Sequence, residues 1–216
     1  MRKVRAAVLI SGGGSNMAAL IEAAKAADYP AEIALVISNN PDAAGLARAE
    51  AAGVKALAID HRPYAKDREA HEFAIQAALE QAGTELVCLA GYMRILTPFL
   101  VKSWAGRMLN IHPSLLPLYP GLHTHRRAIE AGDAEAGVTV HLVTTALDAG
   151  PILGQARVPV LPGDTEETLA ARVLTEEHKL YPRVLAEVAR ALQEDGLPPP
   201  GDPWPGALGK HGGLLS

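Results

Sequence analysis

The sequence predicts an α/β fold: one mostly parallel twisted sheet with helices on both faces, plus antiparallel strands added in the C-terminal half. Three observations carry this. Continuous apolar runs alternate with helical patterns over residues 4–111. Turn signals rich in Gly, Pro and Asn separate the runs. Beyond residue 136, two β-rich runs lie close together in sequence, as antiparallel partners do.

Taken in order, Val4–Ile10 is a continuous apolar run but for Arg5, with little alternation, the mark of a strand buried on both faces. Ser11-Gly12-Gly13-Gly14-Ser15-Asn16 forms a turn, and Met17–Ala27 has apolar residues at helical spacing. Glu32–Ile37 reads as a second strand, closed by Ser38-Asn39-Asn40-Pro41. Ala43–Ala52 is an Ala-rich helix ended by Gly53, and Lys55–Ile59 a third strand. Arg68–Gln81 is a helix with Gly83 past its end. Glu85–Ala90 is a fourth strand, Thr97–Trp104 a short helix and Arg107–Ile111 a fifth strand. His112–Leu122 holds Pro113, Pro117, Pro120 and Gly121 and has no period; Leu116-Pro117 is a candidate cis bond. Thr124–Ala131 is a helix closed by Gly132, and Gly137–Val143 and Pro151–Val160 are the paired strands. Thr165–Leu192 is a long helix with Asp164 and Thr165 as cap candidates, Glu166 and Glu167 in its first turn, and Pro182 expected to kink it. The expectation is a Rossmann-like domain over residues 1–192, divided near residue 111, and a tail over 193–216 that holds 5 Pro and 6 Gly.

Composition excludes several classes. The 216 residues carry a net charge of −4 and only 4% aromatics, which argues against a nucleic-acid coat or base-stacking platform. One cysteine leaves no intrachain disulfide framework and no paired-cysteine metal ribbon. No 18-residue apolar run escapes glycine, charge or turn signals, so no membrane span is expected. The apolar run Ala6–Ile10 is too short for a signal peptide, so the expected compartment is cytoplasmic.

Right-handed crossovers place the C-terminal ends of the parallel strands on one edge, where ligands bind. The glycine turn lies there. Gly12 and Gly14 fit a dinucleotide fingerprint, but Met17 stands at its third glycine and Ser38-Asn39-Asn40 where an acid should follow the second strand. What remains is a site for a single phosphate, or a tight turn with no ligand. Asn110 and His112, two apart on a strand, project to one face. A carboxamide can hold an oxyanion and an imidazole can move a proton; a capping Asn beside a structural His is the alternative. Asp148, in the loop Thr144–Gly150, is a candidate third group to orient and charge the imidazole, or a turn former. His123 and His125 lack the spacing that puts two ligands on one helix face, and no cysteine or acid cluster completes a shell; no metal is expected.

Several motifs occur together in order: Ser11–Asn16, Leu89-Ala-Gly-Tyr-Met-Arg-Ile-Leu96, Asn110-Ile-His-Pro-Ser-Leu-Leu-Pro117, Pro120-Gly-Leu-His-Thr-His125, Gly137-Val-Thr-Val-His141, Leu147-Asp-Ala-Gly-Pro-Ile152 and Glu177-His178 with Tyr181-Pro182. Over about residues 4–190 the chain resembles the folate-dependent formyltransferases of the phosphoribosylglycinamide type. The resemblance implies formyl transfer from 10-formyltetrahydrofolate, the co-substrate, to the amine of glycinamide ribonucleotide in purine biosynthesis. It implies that Asn110 and His112 hold the oxyanion, that His112 passes a proton to the leaving nitrogen, and that Asp148 supports the imidazole and relays protons through water. Gly14, Ser15 and Asn16 would cradle the phosphate and Glu177 accept from the ribose hydroxyls. Met93, Arg94, Ile95 and Leu96, with Asn110 and with Thr144, Thr145, Ala146, Leu147 and Asp148, would line the pterin slot, and Arg68 would meet the anionic folate tail. Leu174 departs from the family, which often has a polar, phosphate-reaching residue there. The implied partners are small molecules, bound by a monomer or homodimer. A deformylase of the same family would turn the triad on water, and a silent nucleotide-binding module would use none of it.

Overall fold

The computed structural model describes residues 2–196. Its strands are β1 (Val4–Ile10), β2 (Ala31–Ser38), β3 (Ala56–Ala58), β4 (Leu86–Leu89), β5 (Met108–His112), β6 (Glu135–Leu142) and β7 (Ile152–Pro159). Its helices are α1 (Ser15–Ala24), α2 (Ala44–Ala51), α3 (Arg68–Gln81), α4 (Pro98–Ser103), α5 (Thr124–Ala131) and α6 (Glu166–Asp195), with an unanticipated 3-10 turn at Arg62–Tyr64. One sheet of 7 strands runs in the order β3-β2-β1-β4-β5-β6-β7. β1 to β5 pair in parallel, whereas β6 and β7 are antiparallel additions. The order reverses between β1 and β4, so the crevice for a ligand opens there.

The long apolar runs follow from two-sided cover. In β1, Val4, Ala6, Val8 and Ile10 join the core with α1 and α6, while Ala7 and Leu9 join the core with α3 and α4. From Ala6 onward each residue serves one core or the other, so none is polar; Arg5, near the start of the strand, is exposed. Tyr181 of α6 is fully buried, and its hydroxyl donates to the Leu89 carbonyl at 3.0 Å, tying this helix to the end of β4.

The start of α1 and the end of α6 differ from expectation. Gly14, at φ +68°, caps α1 in place of a side chain, so Ser15 and Asn16 belong to the first helical turn. At the start of α6 the cap is Thr165, one of the two candidates, and Thr165 and Thr168 cap each other reciprocally. The same helix is continuous across Pro182 and runs past Leu192 to Asp195. The rest of the Pro/Gly-rich tail, from 197 onward, lies outside the described residues. Leu116–Pro117 is cis. Among the described residues no helix is long and apolar enough to cross a membrane.

Candidate active site

β5 delivers two side chains to the edge of the sheet. Its register with β6 pairs Asn110 with His141 and His112 with Thr139, so these four share one face. His112 is buried, and its Nε2 lies 2.9 Å from the Tyr119 carbonyl. A carbonyl only accepts, so Nε2 carries a hydrogen and Nδ1 is left to the other side. There Asp148 Oδ2 stands 3.5 Å away. Asp148 reaches this place on a strained backbone, φ +49°, and accepts the Gly121 amide at 2.9 Å. The loop is pinned beneath it: a side chain at Gly150 would strike the Leu142 carbonyl at 1.8 Å. The structure therefore brings together Asn110, His112 and Asp148. His123 starts α5 at φ +58°. His125 is half-buried, and that burial pushes its imidazole below the usual range, with the nearby His112 acting the same way against Glu166. Among the described residues no group of three His, Cys, Asp or Glu side chains is arranged to hold a metal ion.

The glycine turn lies at the β1/β4 crevice. The Ser11 hydroxyl donates to Asn39 Oδ1 and accepts the Met93 amide at 2.8 Å, while the Ser11 amide donates to the Gly91 carbonyl. One residue thus ties together the ends of β1 and β2 and the segment after β4. No side chain caps α1 and no acid occupies its first turn, so the helix start is open to an anion. A Cβ at Gly12 or Gly13 would meet nothing within 4 Å, so the turn faces open space.

Gly45 of α2 packs against the back of this turn. Its amide donates to the Gly12 carbonyl at 3.0 Å, and a Cβ there would meet that oxygen at 2.8 Å and Ile10 Cδ1 at 2.4 Å. Gly45→Ala is expected to cost about 1–3 kcal/mol through overpacking, read as a lower urea midpoint at unchanged slope.

Glu177 projects from α6 to the same end and accepts from Asn16 Nδ2. Burial pushes its carboxyl above the usual range, against that hydrogen bond. A raised acid favours the folded chain at low pH, and its contribution is lost as pH rises through the folded value. Glu177→Gln should therefore melt higher than the wild type near pH 8, with the difference shrinking toward pH 4, in paired thermal scans.

The remaining expected residues form two exposed segments. Met93 and Ile95 are 67% and 66% exposed, and Leu147 of the Thr144–Asp148 loop is 61% exposed. Large apolar side chains this exposed belong to neither core. Leu96 turns inward against the α3/α4 core. Arg94 lies close enough to His71 and Tyr92 to affect both electrostatically, and Arg68 Nη1 donates to the Ile95 carbonyl at 3.3 Å. The Thr144 hydroxyl donates to the Ala146 carbonyl; Thr144, Thr145 and Ala146 all lie exposed.

A family model described as "Formyl transferase" matches residues 4–185. The chain belongs to the formyl transferase family. This formyl transferase is 46% identical over 204 residues to phosphoribosylglycinamide formyltransferase of Escherichia coli strain K12, covering 90% of this chain and 96% of the relative. It superposes on the crystal structure of phosphoribosylglycinamide formyltransferase from Brucella melitensis with TM-score 0.83 and 57% identity, covering 87% and 96% of the two chains. It is also 49% identical over 187 residues to the trifunctional purine biosynthetic protein adenosine-3 of Drosophila melanogaster; the match spans 86% of this chain but 14% of that longer protein.

Two residues of the formyl transferase site escaped sequence reasoning. Gly45 reads as a weak point in a helix, and only its approach to Gly12 explains it. His141 closes the Gly137–His141 motif without an assigned role, yet its Nε2 lies 3.2 Å from Asn110 Nδ2 and 3.7 Å from Asp148 Oδ1.

Proposed function

We propose that this formyl transferase moves the formyl group of 10-formyltetrahydrofolate to the primary amine of glycinamide ribonucleotide, giving formylglycinamide ribonucleotide and tetrahydrofolate in purine biosynthesis. The observation that carries the reading is the Asn110–His112–Asp148 constellation, His112 Nδ1 standing 3.5 Å from Asp148 Oδ2, at a sheet edge shared with an open glycine turn. The amine attacks the formyl carbon, and the carbonyl oxygen becomes an oxyanion held by the Asn110 amide. His112 exchanges a proton through Nδ1, since Nε2 is committed to the Tyr119 carbonyl. The intermediate collapses when the folate nitrogen takes a proton and leaves. Asp148 stabilises the imidazolium that forms on the way.

The ribonucleotide lies along the β1/β4 crevice, its phosphate on the amides of Gly14, Ser15 and Asn16 and its ribose hydroxyls on Glu177. Leu174 is half-buried and brings no charge, so in this chain the phosphate rests on the helix start. The folate lies between Met93–Leu96 and Thr144–Asp148, largely on backbone groups, with Arg68 toward its anionic tail. Its substrates are small molecules, which a cytoplasmic monomer or homodimer would meet in solution.

A tetrahydrofolate-release assay tests this reading. Release is expected only when both the formyl donor and glycinamide ribonucleotide are present. Release without the amine would mark a deformylase, and no release with any amine a silent binding module.

A further inference from the structure

His141 stands at the centre of the site and takes no part in the steps above. It faces Asn110 across the β5/β6 ladder. The β6/β7 pairing shifts register between Val140 and His141, an irregularity of the kind that re-aims a side chain. The ring is 2% exposed. Its Nδ1 lies 2.8 Å from the Leu142 carbonyl oxygen. That oxygen can only accept, so Nδ1 carries a hydrogen. Burial favours the neutral ring and the nearby His112 adds to this, while the Leu142 carbonyl and Asp148 pull the other way. A neutral imidazole protonated at Nδ1 has a bare Nε2.

That bare nitrogen is 3.2 Å from Asn110 Nδ2 and accepts from it. A carboxamide can sit either way round in a pocket, and its orientation follows from its partners. Here only the NH₂ end can face His141, so the Asn110 oxygen is turned elsewhere and one amide hydrogen stays available to an incoming oxygen. The same nitrogen is 3.7 Å from Asp148 Oδ1, beyond hydrogen-bond range, and offers that carboxylate no donor. Asp148 is left to the Gly121 amide and to His112.

We infer that His141 is a positioning residue: its bare Nε2 fixes the Asn110 carboxamide with its N–H side toward the oxyanion. The catalytic consequence rests on the formyl-transfer reading; the tautomer does not. The Leu142 carbonyl sets that tautomer, and the tautomer sets which end of Asn110 the substrate meets.

Two variants and one spectrum test this. His141→Gln and His141→Met both lose the hydrogen bond to Leu142, but only Gln keeps a strong acceptor where Nε2 stood, the Met thioether accepting weakly. The Met variant is expected to lose about 10- to 100-fold in kcat, with KM for both substrates within about threefold, because the oxyanion donor is misoriented while binding surfaces persist. The Gln variant should recover most of that loss. In ¹⁵N spectra of the wild-type protein, the His141 ring should show a protonated Nδ1 and an unprotonated Nε2. A protonated Nε2, equal losses in the Gln and Met variants, or a Met variant with wild-type kcat would each overturn the inference. If the wild type transfers no formyl group, the formyl-transfer reading fails separately, and the spectrum alone decides the tautomer.

Discussion

Replacing His112 with alanine lowers kcat by about 10²–10⁴ while folate affinity stays within a few-fold of wild type. The separation of the two effects follows from where the groups sit. The proposed folate segments, Met93–Leu96 and the Thr144–Leu147 stretch, present exposed side chains and backbone, and the imidazole makes no hydrogen bond to either. What the imidazole does contact is Tyr119, whose carbonyl it satisfies at 2.9 Å, and Asp148 across 3.5 Å. Losing one hydrogen bond of this kind costs about 1 kcal/mol, a small share of the stability of a domain this size. Asn110 remains in place, so a residual rate above the uncatalysed one should persist. Single-turnover kinetics with a parallel folate-binding titration measure both quantities on one sample. Wild-type turnover in the alanine variant would remove the imidazole from the mechanism.

The parts of this site that can be read from sequence are those fixed by local geometry. Asn110 and His112 are two apart on a strand, and that spacing alone puts them on one face. The glycine turn between a buried strand and a helix similarly announces an open helix start. The parts that cannot be read depend on register and contact between distant segments. His141 meets Asn110 because β6 pairs antiparallel with β5 in one particular register. Gly45 matters because α2 passes within bonding distance of Gly12. Asp148 reads as a candidate, but only its left-handed backbone and the close approach of Gly150 to Leu142 carry it to His112. Element ends differ for comparable reasons. A left-handed Gly14 caps α1 where Ser15 or Asn16 would ordinarily do so. Gln193, which reads as the start of a tail, extends α6 because its side chain donates to the Pro30 carbonyl at 3.2 Å and to the Arg2 carbonyl.

Asp148→Asn should lower kcat by about 10²–10⁴ with the melting temperature unchanged or raised, since a carboxylate that supports a catalytic imidazole is worth up to about 10⁴. The substitution isolates charge from shape. An asparagine side chain keeps an oxygen to accept the Gly121 amide and tolerates φ +49° better than most residues, so the loop should keep its course. What goes is the negative charge facing His112, on a side chain only 8% exposed, where screening by water is weak. Removing a buried carboxylate also relieves its desolvation, which is why stability need not fall. Asp148→Ala makes the contrast: it loses the charge, leaves the Gly121 amide without its acceptor and places an alanine in the left-handed region. That variant should therefore also raise KM for the folate, because the Thr144–Asp148 segment shifts. Equal kcat in wild type and the asparagine variant would show that the carboxylate charge plays no part in moving the proton. Equal KM in the asparagine and alanine variants would show that the Gly121 contact does not shape the slot.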